Sequence, residues 1–217
     1  MNLTVKLCNE ARDFLRAEVA IANEFEHTVA ELDEMRGSEY HRRRTAEAEA
    51  VRDEALARCR ARASERLEPI LNTIERRLDD SPLVAPSDEQ LRAVQLLSMR
   101  KNVSASELQQ CAQLCADCPA ALELLRETAG ERGMPLQLPA PKTLSPTAAR
   151  EHLSTARRSL DTLIYRPSEA NWTAAFLLND DDDHLLGRLC GVWAGRDGQL
   201  SSAYISAMRA ALDGNAE

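Results

Sequence analysis

Three cysteines have the spacing of an iron–sulfur motif. Cys111, Cys115 and Cys118 form the pattern CxxxCxxC, in which three thiolates can hold a cluster and leave one iron open. That motif belongs on a loop after a strand, and the surrounding sequence predicts no strand. Cys111 and Cys115 share one face of a predicted helix, where cysteine is an ordinary small core residue, and no fourth ligand follows at zinc-finger spacing. We predict structural thiols that bind neither a metal nor a cofactor.

An acidic run offers a second kind of ligand chemistry. Asn179 is followed by four aspartates at 180–183, whose oxygens could coordinate Ca²⁺ or Mg²⁺. The glycine and the closing glutamate of an EF-hand are missing, so we interpret the run as an acidic turn that caps a helix starting near His184. The sequence contains no Ser/His/Asp, HExxH, GxGxxG or P-loop pattern. We therefore predict no catalytic residues and expect a protein that is not an enzyme.

The densest basic cluster is a candidate anion-binding site. It consists of His41, Arg42, Arg43 and Arg44, and guanidinium groups bind phosphate well. The cluster lies near a predicted helix N-terminus, where positive charge is unfavourable. Acidic residues alternate nearby, so we favour a solvated helix start whose arginines pair with glutamates. The net charge of −8, from 35 acids and 27 bases, argues against a general affinity for nucleic acid.

The composition predicts an all-α protein as the scaffold for these residues. The 217 residues include only 8 Gly, 3 Phe, 3 Tyr and 2 Trp, and Ala, Leu, Arg and Glu are abundant, which favours helices over sheets. The hydrophobic content of 44% excludes wholesale disorder, and no apolar run is long enough to cross a bilayer. Acidic residues come too early for a secretory signal. The scattered cysteines predict reduced thiols and a cytoplasmic protein without a membrane partner.

Residues 1–80 are predicted to form a long antiparallel helical hairpin that is like a coiled coil. Apolar residues recur in alternating steps of four and three from Leu7 to Met35, which is the seam of a long amphipathic helix. Thr4 is the expected N-cap of this helix, and Gly37 with the serine after it is expected to end it. Because the turn is short, the second helix should fold back along the first.

The second helix is predicted from about Glu39 to Leu78, with Pro69 expected to kink or briefly break it. Its charges are sorted by face. The basic flank holds Arg44, Arg52, Arg58, Arg62, Arg66, Arg76 and Arg77. The acidic flank holds Glu47, Asp53, Glu54, Glu65, Glu68, Glu75 and Asp79. Opposite charges beside an apolar seam are typical of a coiled-coil helix that selects its partner.

The first helix has more apolar surface than one partner helix can cover. An apolar strip beside the seam consists of Leu15, Val19, Ala22 and Val29, and the acids of this helix lie on the opposite face. Those acids are Glu10, Asp13, Glu24 and Glu31. We predict that the strip is a self-association interface, which would make the protein a homo-oligomer. Docking of the rest of the chain could cover the same strip.

Two small helical modules are predicted after the hairpin. Residues 86–130 contain three short helices, the first two of which begin with capping boxes. The boxes are Ser87 with Gln90 and Ser104 with Glu107. Residues 131–144 are rich in proline and predict an extended linker. Residues 145–217 predict a C-terminal module of further short helices. Its expected core includes Trp172, Phe176, Leu177, Leu185, Leu189, Trp193, Tyr204, Ile205 and Met208.

The stretch from Pro86 to Ala129 resembles a segment of small helical proteins encoded by tailed bacteriophages of gut bacteria. In those proteins a charged, Ala-rich coiled coil precedes P-x-x-E-Q-L…L-L…M-R-x-x-V-(S/T)-x-x-E-L. The matching residues are Pro86, Glu89, Gln90, Leu91, Leu96, Leu97, Met99, Arg100, Val103, Ser104, Glu107 and Leu108. This pattern consists of helix caps and core leucines, so it carries no chemistry. The resemblance implies a phage protein of the host cytoplasm or the virion.

Three functions are compatible with these features. The favoured one is a non-enzymatic phage structural or assembly protein that acts through protein–protein contacts, with itself or with other phage proteins. The second is a phage-encoded inhibitor of host defence. Such an inhibitor would sequester an anionic nucleotide signal at residues 41–44, or block a host protein. The third, and least favoured, is a small metal-dependent enzyme that uses the cysteine triad.

Overall fold

The chain is all-α. The computed structural model describes residues 2–81, 85–139, 144–166, 174–179, 181–192 and 198–214, and every regular element in these ranges is a helix, which confirms the predicted fold class. The elements are α1 (Leu3–Glu31), a 3-10 turn (Asp33–Met35), α2 (Glu39–Asp80), α3 (Asp88–Met99), α4 (Ala105–Leu114), α5 (Pro119–Glu131), α6 (Pro146–Tyr165), α7 (Ala174–Asn179), α8 (Asp182–Leu189) and α9 (Gly198–Asp213). Among the described helices, none combines the length and the apolar character needed to span a membrane.

The N-terminal end of α1 is capped by Asn2, so the prediction of Thr4 as the N-cap is wrong. The Asn2 side-chain oxygen accepts the N–H of Val5 at 3.0 Å. Thr4 lies inside the first turn, where its N–H donates to the carboxylate of Asp213 at the end of α9 at 2.9 Å. Its hydroxyl lies 2.7 Å from Asn2 Oδ1 and 3.1 Å from Asp213 Oδ2. Thr4 is therefore bound to a distant element that no local pattern reveals.

The two long helices meet at a turn that uses glycine and serine as expected. Gly37 has a φ of +87°, a value that glycine adopts without strain. Ser38 caps α2, with its hydroxyl oxygen accepting the N–H of His41 at 3.0 Å. α2 then passes through Pro69 without interruption, so of the two predicted effects, a kink or a brief break, the break does not occur.

One apolar core combines the first half of α1, the second half of α2 and the C-terminal helices α6–α9. We call this part the base. Its buried residues include Leu7, Leu15, Leu67, Ile74, Leu153, Leu160, Leu177, Leu185, Leu189, Ile205 and Met208. Five residues that were predicted as the core of a separate C-terminal module are thus shared with the N-terminal helices, whereas Tyr204, which was also predicted there, is only half-buried. The five are Leu177, Leu185, Leu189, Ile205 and Met208. Trp172, Trp193 and the side chain of Phe176 lie outside the described residues.

Polar contacts fasten the base around this core. Arg157 of α6 donates to Glu68 at 2.9 Å, to Asn72 at 2.8 Å and to Glu75 at 2.9 Å, all on α2. Arg12 of α1 pairs with Asp182 of α8. These bonds reach across 82 to 170 residues of sequence, so they fix elements that are far apart in the chain.

Helices α3, α4 and α5 have a core of their own. Its buried residues are Val94, Leu97, Leu108, Cys111, Ala112, Cys115, Cys118, Ala121, Leu122, Leu125 and Ala129. Both predicted capping boxes are present, at Ser87 and at Ser104. The described part of the predicted linker packs partly against this core through Met134, Leu136 and Leu138.

Beyond the base, α1 and α2 continue as an exposed pair that we call the arm (α1 residues 16–31, the turn, and α2 residues 39–62). No residue of α1 after Leu15, and no residue of α2 before Ala63, is buried. The guanidinium of Arg52 lies 4.4 Å from the centre of the Phe25 ring. Nearer the base, Arg66 Nη1 lies 3.4 Å from Glu10 Oε2. Residue numbers therefore rise along α1 as they fall along the neighbouring α2.

Candidate protein-binding groove

A continuous groove runs along one side of the α1–α2 pair. Two adjoining cavities of about 340 and 530 Å³ form it, and they share Ile21 and Ala55. The groove extends from Glu10 of α1 to Leu32, the residue that follows α1. At 1.5 Å per residue this is a length of about 33 Å. A groove of this length could accommodate about six turns of another helix.

The floor of the groove is apolar and built largely from small side chains. Its residues are Phe14, Ala17, Ala20, Ile21, Phe25 and Leu32 from the α1 side, and Ala48, Val51, Ala55, Cys59 and Ala63 from α2. Phe14, Leu32 and Ala63 are already buried by the chain itself, so the surface left for a partner comes from the other residues. Alanine at the α2 seam leaves a space that larger residues would fill. Val51, which is 65% exposed, is the most exposed large apolar residue of this floor. Apolar surface of this kind is stabilised when a partner covers it.

The two walls of the groove have opposite charge. The α1 wall carries Glu10, Asp13, Glu24 and Glu31, and the α2 wall carries Glu47 with Arg44, Arg52, Arg58, Arg62 and Arg66. The groove is therefore lined by five acids and five arginines and has no net charge. Because charged rims favour one orientation of a docked partner over another, this arrangement can select how a partner lies in the groove.

Acids and arginines of the two walls stand at matching heights. Two contacts between the helices set their register: the residue numbers of Glu10 and Arg66 add to 76, and those of Phe25 and Arg52 add to 77. Since both helices rise equally per residue, other positions whose numbers add to about the same value also lie opposite each other. The further acid–arginine pairs at such heights are Asp13 with Arg62, Glu24 with Arg52, and Glu31 with Arg44.

Most wall charges are paired along their own helix. Arg44 contacts Glu47 at 2.8 Å, Arg52 contacts Asp53 at 2.7 Å, and the third pair, Arg58 with Glu54, is at 3.6 Å. The pair between Glu10 and Arg66 crosses the groove near the base. Exposed pairs of this kind contribute between 0 and about 1 kcal/mol, so the arginines can change partner at little cost.

No family model, no curated protein and no solved structure significantly matches this chain. The resemblance to phage proteins therefore stays a prediction, and the functional argument rests on the geometry of the molecule.

The predicted anion-binding cluster lies at the end of the arm, on the first turns of α2. Arg43 and Arg44 both pair with Glu47, at 3.7 and 2.8 Å, and the Arg43 guanidinium lies 5.8 Å from the centre of the Tyr40 ring. His41 is half-buried and Arg42 is exposed. One glutamate thus reduces the positive charge of the cluster, and Arg44 belongs to the groove wall.

The predicted apolar interface strip needs one correction. Leu15 is only 2% exposed and lies in the core of the base, because the chain's own helices cover it, so it is not available to a second molecule. Val19 and Val29 are half-buried and Ala22 is exposed. For these three residues the interface stays a prediction. They lie on the side of α1 away from the acidic wall of the groove.

The cysteine triad is enclosed in the core of α3–α5. Cys111, Cys115 and Cys118 are 7%, 0% and 2% exposed. Burial, reinforced by the neighbouring thiols, raises the pKa of Cys115 to about 12, so the neutral thiol is favoured at neutral pH. In the part of the chain that the structure describes, no three His, Cys, Asp or Glu side chains are grouped as metal ligands.

The acidic run caps and fastens α8. Asp181 accepts the N–H of His184 at 2.7 Å, which confirms the helix cap, while Asp180 lies outside the described residues. Asp182 pairs with Arg12 of α1, and Asp183 Oδ1 lies 2.7 Å from Arg209 Nη2 of α9. These described carboxylates therefore have structural partners.

The groove was not predicted from the sequence, although both of its walls were. The basic flank of α2 and the acidic face of α1 were each found by helical periodicity. In two antiparallel helices around a short turn, residues that lie opposite each other have numbers with a constant sum. This rule would have placed the basic flank of α2 beside the acidic face of α1. Periodicity alone pointed to the apolar strip on the other side of α1 instead.

Proposed function

We propose that this protein is a non-enzymatic structural or assembly protein that acts through protein–protein contacts. In this proposal α1 and α2 form a hairpin like a coiled coil, and the groove of the arm is the contact surface. The observation that carries the proposal is the groove itself, with its apolar floor, its oppositely charged walls and its length of about 33 Å.

The physical chemistry of the groove favours a helical protein partner. Amphipathic helices bind by placing their apolar face in a groove between helices. Burial of the floor would supply affinity, at about 25 cal/mol per Å² of apolar surface. The walls would set orientation and specificity rather than strength. A small polar ligand would gain little from a long apolar floor.

The resemblance of residues 86–129 to phage proteins suggests where such contacts would occur. A phage protein of this kind would act in the host cytoplasm during assembly or remain in the virion. The base gives the arm a fixed platform, because it is closely packed. The arm is then the part that remains available to a partner.

Purification of particles and assembly intermediates from infected cells tests this proposal. Mass spectrometry should find the wild-type chain in one of these fractions, and Val51→Glu should remove it, because a charge on the groove floor opposes burial. Ala57→Glu is the matched control, since Ala57 is exposed on α2 and does not line the groove. Equal recovery of the two variants, or absence of the wild-type chain from every fraction, would count against the proposal.

A further inference from the structure

We infer that the occupant of the groove is a second copy of this chain, with both arms pointing in the same direction, so that α1 of each copy faces α2 of the other. This inference rests on the proposed function, since it names the partner for the same contact surface. It is carried by the charge pattern of the walls, the register of the two helices and the area that the groove offers.

The groove is complementary to itself. A two-fold interface uses the same patch on both subunits, so both members of every attractive pair must be present on that patch. Five acids and five arginines line the groove, with the acids concentrated on α1 and all the arginines on α2. A partner with one predominant charge would be attracted by one wall and repelled by the other.

The separation of the charges distinguishes the two symmetric ways of docking groove on groove. With the two-fold axis along the helices, α1 of one copy lies over α2 of the other, and acids meet arginines. With the axis across the helices, α1 lies over α1 and α2 over α2, so that acids meet acids and arginines meet arginines. Juxtaposed like charges cost several kcal/mol. The charges therefore select the first arrangement, in which the arms point the same way.

The register of α1 and α2 suits this arrangement along the groove. An axis parallel to the helices leaves the height of every residue unchanged. Asp13 then meets Arg62 of the second copy, and Glu24 meets Arg52 of the second copy. Because the α2 wall already carries an arginine at the height of each α1 acid, no sliding of one copy along the other is needed to pair them.

The area is sufficient for a stable dimer. Two helices, each about 10 Å in diameter, present a face about 33 Å long and roughly 20 Å wide. Docking two such faces buries about 1,300 Å² in total, within the range of about 1,200–2,000 Å² for specific interfaces. The half-buried Ile21 and Phe25 and the exposed Val51 then become the centre of an apolar layer between four helices.

Charge reversal tests the pairing. Light scattering coupled to size-exclusion chromatography should show a dimer for the wild-type chain. Asp13→Arg with Glu24→Arg should give a monomer, as should Arg52→Glu with Arg62→Glu, because each change makes both walls alike. An equimolar mixture of the two variants should restore a dimer. Glu26→Arg with Glu34→Arg changes the charge of exposed residues outside the groove and should leave the dimer intact.

The direction of the arms is tested by a distance between their ends. Met35 is 42% exposed at the end of the arm and accepts a spin label as Met35→Cys, with Cys59→Ala to remove the half-buried native thiol. Because Cys59 lies on the groove floor, light scattering must first show that this variant still forms the dimer. Arms that point the same way place the labels within about 30 Å, since packed helices lie 8–10 Å apart. Arms that point in opposite directions over the groove length separate the labels by about 40 Å.

Three results overturn the inference. They are a wild-type monomer at concentrations well above micromolar, a dimer insensitive to both charge reversals, and the longer label distance. Circular dichroism of each variant separates lost association from lost folding. If the wild-type chain is a monomer while Val51→Glu still removes it from particles, the second copy is excluded and the proposed function stands. If the dimer forms as inferred while Val51→Glu breaks it without affecting particles, the proposed function fails and the inference stands.

Discussion

The two ends of α1 and α2 differ in how deeply their residues are buried, although each helix is continuous. In the base, Leu7 and Ile74 are completely buried and pack in a core that four other helices share. In the arm, no residue of either helix is buried. There α1 and α2 contact each other along one side of each helix. The groove therefore exists because, among the described residues, only two helices make up the arm.

The seam residues of α2 explain the difference. In the base the seam consists of Leu67, Ile70, Ile74 and Leu78, whereas in the arm alanines such as Ala48 and Ala55 occupy it. Large aliphatic residues fill the space between packed helices. Alanine and arginine have high helix propensity, so the arm keeps its helices without a core and leaves apolar space along the seam.

The largest loss of stability is expected from a substitution that creates a cavity in the base. Ile74→Ala should lower the free energy of unfolding by about 3–5 kcal/mol, because Ile74 is fully enclosed and its loss leaves a void. Val51→Ala in the arm should change it by no more than about 0.5 kcal/mol, since that side chain is exposed. Urea denaturation measures both. Similar losses at the two positions would remove the distinction between base and arm.

The α3–α5 core should behave like the base and not like the arm. Leu97→Ala is expected to cost about 2–4 kcal/mol, since Leu97 is 7% exposed within that core. Leu96→Ala is the control, because Leu96, the residue next to Leu97, is 62% exposed. Thermal unfolding followed by circular dichroism compares them. Equal stability of the two variants would mean that α3–α5 has no core of its own.

Helix caps provide a finer comparison. Asp213→Ala should cost about 1–3 kcal/mol, because it leaves the buried N–H of Thr4 without an acceptor. Ser38→Ala removes the cap of α2 at the end of the arm, where fraying stays local. Its effect on global unfolding should be below about 0.5 kcal/mol. Hydrogen exchange at His41 should still increase in Ser38→Ala, and an unchanged rate there would show that the cap is unimportant.

The smallest effect concerns an exposed capping box. The backbone N–H of Ser104 and the guanidinium of Arg100 lower the pKa of Glu107 from 4.5 to about 2. A lowered pKa in the folded state means that ionised Glu107 stabilises the fold above pH 4.5, and that this contribution is lost as the pH falls towards 2. Glu107→Gln should therefore melt slightly below wild type at neutral pH and converge with it near pH 2. A constant difference across that range would contradict the capping role.

Local features of this fold could be predicted from the sequence, because their signals lie within a few residues. The capping boxes at Ser87 and Ser104, the start of α2 after Ser38 and the all-α class are of this kind. The contact of Thr4 with Asp213 joins residues 209 positions apart, and no local pattern reveals it. For the same reason the sequence left two possible covers for Leu15, a second molecule or the rest of the chain, and could not decide between them. Of the candidate site, each wall was predicted, and so was the pairing of the two helices, but the side on which the acidic face of α1 adjoins the basic flank of α2 was not.

The continuity of α2 has a mechanical consequence. Its 42 residues form a rod about 63 Å long. Arg157 of α6 binds the rod in its C-terminal half, and the groove lies along its N-terminal part. A helix without proline bends only gently over such a length, and Pro69, where one backbone hydrogen bond is missing, lies within the part that Arg157 holds. Between the groove and the residues that Arg157 binds, α2 contains no proline. A force applied to the arm is therefore transmitted along α2 to the core of the base.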